Sequence, residues 1–484
     1  MKKRFVPVLL VLLLSTAVSA QNLDVFHFMR TNPFLYFDNP SSESIYNGFV
    51  ALPTSNIHVI ANLGSIRYNK LFETDAEGYP VTLTATRFVN SLAKNNYLGV
   101  NANVEALGFG FRIGKMFFAL DYRVRMNADV RYSKALFGLP VYGNLAYTDK
   151  PADMNISANM SLYQELGLSF RYKINDKMAL GVRPKILFGA ANVHADKVSA
   201  IVTTDPSNYG LSMRYDAAMQ AAAIMPYSVT FNREDGFNFD YSEDANEITS
   251  NLFKNVGFGI DLGFTYKPLP DLSISMGVLD IGYINWKTNT TEMTSVMYDA
   301  GRFYEDGAMV FGGLTQNDIQ ELADGGSLSD LVDSLAYYFP LDVHPTGSYA
   351  TAVPVRVVAQ GDYRFGKFST VSAAVQFRFA SHYVQPSLTL AYDANLGNIL
   401  DFCLAYTMQR MSFDNLGIGL GVNLGYLNFY VGTQNIVAAM AYQDASQLTA
   451  TAGLVINWGH FKNWRLEHPK KKKEESGKQE AKEE

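Results

Sequence analysis

Between Val256 and Tyr266 every even position is apolar (Val256, Phe258, Ile260, Leu262, Phe264, Tyr266), and the odd positions are Gly257, Gly259, Asp261, Gly263 and Thr265. A period of two predicts a strand with one greasy face and one small or polar face. Lys267-Pro268-Leu269-Pro270-Asp271 turns the chain, and Leu272, Ile274, Met276 and Val278 resume the alternation against Ser273, Ser275 and Gly277. The parity slips once, at Val278-Leu279, so that Leu279, Ile281 and Tyr283 become the apolar set opposite Asp280 and Gly282. One extra residue, a β-bulge, produces such a slip. A hairpin of a soluble sandwich and two staves of a membrane barrel both satisfy this stretch.

Length and connection pattern favour the barrel. Met116 to Tyr132 alternates throughout, with Asp121, Arg123, Arg125, Asp129 and Arg131 on the polar face. That run exceeds both the ~5–6 residues of an ordinary strand and the ~9–11 that cross the hydrocarbon. The pattern returns in at least seven further stretches between Ala158 and Val431. Short connections (Gly114-Lys115, Asn175-Asp176, Lys267 to Asp271, Gly366-Lys367, Ala394 to Asn398, Tyr426-Leu427) alternate with connections that include the long segments 133–157, 193–254 and 287–352. Outer-membrane barrels keep periplasmic turns short and let outer loops grow. The predicted fold is therefore all-β, a transmembrane antiparallel barrel of about 14 strands (12–16), spanning 57–459 and starting near Ile57 to Leu63.

The ends change the picture of the compartment. Lys2, Lys3 and Arg4 precede an apolar run from Phe5 to Leu14 and a small-residue site at Val18-Ser19-Ala20. Residues 1–20 read as a cleaved signal peptide, which predicts the outer membrane of a Gram-negative bacterium. Residues 21–56 form an N-terminal lead or plug, with the Pro- and Asn-rich stretch Asn32 to Glu43 as its core. Thr84 to Asn95 reads as a short helix near the periplasmic side. Thr315 with Asp318 and Ser327 with Asp330 mark two helix starts in the last long loop, the second carrying Leu328, Leu331, Leu335 and Tyr338 as an apolar stripe. Residues 460–484, with Lys470 to Lys473, read as a disordered polar periplasmic tail. Thr451, Gly453, Ile456 and Trp458 have the spacing of a closing strand read by the barrel-assembly machinery, a partner expected during biogenesis alongside outer-membrane lipid.

Composition adds support: 18% charged and 13% aromatic residues suit a lipid-facing wall with aromatic girdles. A net charge of −6 over 484 residues points away from nucleic acid. Cys403 is the only cysteine, so no intrachain disulfide and no cysteine metal cluster can form.

Asn255, Gly257, Asp261 and Gly263, followed by Tyr266-Lys267 and then by Asp280, Gly282 and Trp286, resemble the central motif of an uncharacterised family of FadL-like outer-membrane barrels. Leu52-Pro53, Leu107 to Phe111 with Gly114-Lys115, and Tyr349 to Pro354 extend the likeness. Members are distantly similar to long-chain fatty-acid transporters and to PorV-type barrels associated with type IX secretion. The resemblance implies an outer-membrane barrel of unknown role, lends no catalytic residue, and tilts any ligand toward small hydrophobic compounds. Asn32-Pro33 is similar to the start of the fatty-acid transporters, with Phe34 where those have alanine.

No chemistry-bearing pattern competes. The seven histidines share no spacing with a Ser or Asp nucleophile, and no phosphate loop or metal-ligand cluster is visible. No enzyme activity and no cofactor are expected. On the strand parity Asp121, Arg123, Arg125, Asp261, Asp280, Arg356 and Arg364 face the lumen, where a solvated interior of mixed charge and a substrate path are the two readings. The function expected is a passive channel or transporter for small, hydrophobic-leaning solutes. A structural or accessory barrel of a secretion or surface complex is the alternative.

Overall fold

A computed structural model describes residues 23–460 apart from 24, 68–71, 75–79, 84, 208, 210, 233–235, 296–340, 381–382, 410–414, 441–444 and 446. The leader, the two helix starts at Thr315 and Ser327, and the tail lie outside the described residues. Among the described residues, fourteen strands of one larger sheet close the ring: β1 (Tyr46–Asn62), β2 (Asn95–Ile113), β3 (Met116–Ser133), β4 (Ala152–Lys173), β5 (Met178–Thr204), β6 (Val256–Leu269), β7 (Leu272–Trp286), β8 (Val355–Phe365), β9 (Ser369–Ala380), β10 (Tyr383–Leu396), β11 (Leu400–Met408), β12 (Leu416–Asn423), β13 (Leu427–Thr433) and β14 (Gln447–His460). Each pairs antiparallel with the next. β14 returns to β1, with Gly48 opposite Trp458 and Asn62 opposite Gln447. The ring therefore has no free edge, the condition for placing strands in hydrocarbon.

The predicted parity decides which face meets lipid. On β6 Phe258, Leu262, Phe264 and Tyr266 are exposed while Gly257, Asp261, Gly263 and Thr265 are buried. Outside the short-turn end, Trp458, Phe109, Phe111, Phe118 and Phe170 form a row of ring neighbours 5.2–6.2 Å apart, an aromatic girdle. The bulge on β7 is present, with Val278 opposite Leu262 and Ile281 opposite Ile260, so Leu279 and Asp280 together face Asp261. Leu279 is a correction to the sequence reading: it is fully buried inside, whereas Ile281 and Tyr283 are 40% and 50% exposed. Both bulge residues turn inward because Asp280 adopts a left-handed backbone, φ 62°.

Three boundaries also differ from expectation. The wall begins at Tyr46, not near Ile57, because Leu52-Pro53 is absorbed as a register shift between Ala51 and Asn56 instead of ending the strand. The segment 193–254 is not a plain loop: β5 runs on to Thr204 and pairs with a strand at Leu211–Ala223. Further strands, Thr291–Ser295 and Leu341–Pro345, pair with each other, and the first also pairs with Leu211–Ala223. The early helix, Ala85–Ser91, sits at the long-loop end, not the short-turn end. β1 has already crossed the wall before it, and β2 re-enters with Asn95 opposite Ser133. There Phe88 meets Phe137 of a second helix, Ala135–Tyr142, at 5.1 Å.

The largest buried cluster lies inside the barrel. Leu23, Val25, Phe26, Phe28, Met29, Phe34, Tyr36 and Phe37 of the N-terminal segment pack with inward wall residues including Phe49, Phe117, Leu279, Cys403 and Tyr430.

Candidate functional site: the occupied lumen

The N-terminal segment is held at three places. Nearest the short-turn end, Glu43 lies between Lys267 (3.1 Å), Arg171 (3.4 Å) and Arg112 (3.6 Å). Burial alone would raise the Glu43 carboxyl, but Arg171, Lys267 and Arg112 hold it down at about 2. Deeper, the backbone of Asp38 to Ser41 lies directly against Gly181, Gly263 and Gly277, where a Cβ would meet Pro40 and Ser41, Asn39 and Ser41, and the Asp38 carbonyl respectively. The Ser41 and Thr265 hydroxyls are 2.6 Å apart. The motif glycine Gly263 thus admits a second backbone, a role strand glycines take where another chain approaches closely.

Across the lumen, beside the short 397–399 turn, Thr31 donates from its backbone N–H (3.0 Å) and hydroxyl (2.7 Å) to Asp401. His27 contacts Gln360 and stands 3.3 Å from Asp38, which in turn accepts from Arg356 at 3.0 Å. Burial disfavours the charged imidazole, yet Asp38, Gln360 and Asp362 outweigh it and raise His27 above its ordinary 6.5.

Toward the long-loop end from this segment, the predicted lumen charges meet in one network. Arg183, with no exposed surface, donates to Asp121 (3.1 Å from Nε), Glu165 (2.6 Å) and Asp261 (3.0 Å). Lys185 bridges Asp261 and Asp280 at 2.6 Å each. Arg125 reaches Asp280 (2.7 Å) and Glu165 (2.8 Å), Arg123 contacts Glu165, and Arg356 reaches Asp280 at 3.1 Å. The Asp280 N–H donates to Asp261 at 2.6 Å. That bond and three cations hold a non-glycine residue at positive φ, a conformation that costs about 1–3 kcal/mol elsewhere. Phe37 closes the network from below, its ring 3.7 Å from the Arg123 guanidinium carbon and 5.2 Å from that of Arg183.

The sequence reading of a solvated interior is therefore corrected: six of its seven lumen candidates, Asp121, Arg123, Arg125, Asp261, Asp280 and Arg356, are buried and ion-paired. The seventh, Arg364, is half-buried and lines a cavity of about 190 Å³ at the short-turn end, with His27, Arg30 and Asp271. Glu165 was missed, although the odd parity of β4 places it inward. Glu105, 1% exposed with neither carboxylate oxygen hydrogen-bonded, was missed as well.

The rest of the motif is structural. Asn255 accepts from Lys287 N (2.7 Å) and Thr288 N (3.0 Å) and donates to the Gly189 carbonyl (3.1 Å), tying β5, β6 and the end of β7. Trp286 packs on Gly189 and donates to Thr351 at 2.8 Å. A Cβ at Gly257 would meet Tyr283 O, and one at Gly282 would meet Phe258 O, so both allow strand contact around the bulge. Beyond the network a second cavity, about 360 Å³, lies between β3, β4, β5 and the Ala350–Val355 stretch.

Residues 40–434, which include every wall residue of this network, match the model of one protein family. The chain belongs to that family of unknown function, DUF5723. No curated protein matches it. Among solved structures, the toluene transporter TodX of Pseudomonas putida is 10% identical with a TM-score of 0.40, covering 89% of this chain and 95% of that one. A Pseudomonas aeruginosa FadL homologue is 12% identical with a TM-score of 0.41, covering 92% and 100%. The translocator domain of the autotransporter NalP from Neisseria meningitidis is 8% identical with a TM-score of 0.31, covering 86% and 90%.

Proposed function

We propose that this DUF5723 barrel is an outer-membrane transporter for small solutes, closed at rest by its N-terminal segment. The observation that carries the reading is a cavity on each side of that segment within one closed wall. The short-turn cavity borders His27, Arg30 and Glu43 of the segment, and the larger one lies beyond the charge network. The short turns face the periplasm and the long connections face outward, as in barrels generally. The segment is attached to the wall by hydrogen bonds, ion pairs and packing and continues into β1, so it can move while the wall stays paired. A buried charge network suits the rigid half of such a device, since removing one partner strands several charges. The test is flux through proteoliposomes carrying the purified protein. Small polar solutes or fatty acids are expected to cross faster than through empty vesicles, and faster still when Gly263→Ala unseats the segment. No flux of any solute in either form would move the reading to an accessory barrel.

A further inference from the structure

The outer cavity has a chemistry of its own. Its volume of about 360 Å³ lies within the ~300–1,000 Å³ common for small-molecule sites. Its polar wall comes from three neighbouring strands: Asn127 and Asp129 of β3, Asn159 and Ser161 of β4, and Asn192 and His194 of β5. Neutral carboxamides and a hydroxyl supply donors and acceptors here, and the one carboxylate is already balanced. Asp129 accepts from Arg378 at 3.0 Å on one oxygen and from the Tyr97 hydroxyl on the other. Asn192 is oriented by Tyr349, whose hydroxyl donates to its Oδ1 at 2.9 Å, and by its own bond to the Met160 carbonyl at 2.8 Å. The rest of the lining is the Ala350–Val355 stretch, where Val353 and Pro354 supply C–H surface and the Thr351 hydroxyl already accepts from Trp286. An ion entering would meet Asp129 already paired with Arg378 and His194 already bonded through Nδ1 to Asn159. A hydrocarbon would strip water from the carboxamides and return no hydrogen bond, which disfavours it for each buried group left unpaired.

We infer that this cavity binds an uncharged solute with hydroxyl or amide groups on one side and a C–H face on the other, the chemistry of a neutral saccharide. The inference rests on the transporter reading for its biological setting, but binding can be measured without transport. Isothermal titration calorimetry on the detergent-solubilised full chain would compare maltose and N-acetylglucosamine with gluconate, glucosamine and toluene. A neutral sugar is expected to bind and the other three are not. Asn127→Leu and Ser161→Val should each weaken the sugar about tenfold, as removal of one hydrogen-bond partner does. Heat-modifiable migration in gels would confirm that both variants remain folded barrels. Absence of sugar binding overturns the inference, as does binding of toluene or gluconate in its place, or a sugar affinity unchanged in both folded variants. Sugar that binds but does not cross vesicles would leave the inference standing and remove the transporter reading instead.

Discussion

Gly263→Ala puts a single methyl group between the wall and the N-terminal segment. The added Cβ would stand 2.6 Å from the Ser41 nitrogen and 3.0 Å from the Pro40 nitrogen, with the Asn39 side-chain oxygen closer still. To reach an ordinary contact of 3.4 Å the Ser41 backbone must retreat by about 0.8 Å. That shift stretches the 2.6 Å bond between Ser41 and Thr265 beyond useful length. Overpacking of this kind costs about 1–3 kcal/mol and the lost hydrogen bond about 0.5–1.5 kcal/mol. At a total of about 3 kcal/mol, the middle of that combined range, the equilibrium for unseating the segment rises about 150-fold. The wall itself loses nothing, because β6 keeps its pairings with β5 and β7. Single-barrel conductance in planar bilayers should therefore rise, and trypsin should cleave faster at Arg30 in the unseated segment. Gly277→Ala supplies the internal scale: its nearest neighbour is the Asp38 carbonyl at 2.9 Å and the next atom is at 3.6 Å, so its effect should be smaller. Equal conductance and cleavage in wild type and both variants would refute the argument that these glycines seat the segment.

The two faces of β6 give a second test. Phe258→Lys should cost ~2–4 kcal/mol if the residue lies near the bilayer midplane. Asp261→Asn, which frees Arg183 and Lys185 from one carboxylate, should also destabilise, by about 3–5 kcal/mol; urea unfolding in lipid vesicles reads both, and a neutral Asp261→Asn would contradict the network. A pH profile of conductance forms a third. His27, raised above 6.5, contributes seating energy that is complete below 6.5 and lost as pH climbs through its raised value. Glu43, lowered to about 2, contributes above 4.5 and loses its contribution as pH falls toward 2. Conductance should be lowest between those windows and rise on both sides.

Strand existence, facing and orientation were legible in the sequence because lipid imposes a strict requirement. Each outward position must be apolar, so Phe258, Leu262 and Phe264 announce their face by parity alone. The bulge was legible as well, since a slip of one residue exchanges faces. What parity could not show was the fate of Leu279, because a bulge at positive φ sends two successive side chains the same way. Nor could it show which charges meet. Arg356 and Asp38 lie 318 residues apart, as do many partners that only barrel closure brings together. The seat of Asn32 to Glu43 was equally hidden: its aromatics follow no period, and the glycines that receive it sit on three separate strands.

Cys403 gives this molecule a built-in reporter. It is the chain's only thiol, it is fully buried, and it shares a cluster with Val25 and Met29 of the N-terminal segment. A water-soluble alkylating reagent should reach it only in molecules whose segment has left the lumen. When reclosing outpaces the reagent, the observed labelling rate divided by that of an unhindered thiol is the open fraction itself. If the segment leaves the lumen as proposed, the wild-type protein carries a clock for that opening, readable by mass spectrometry in intact cells, with no engineered label to disturb the barrel.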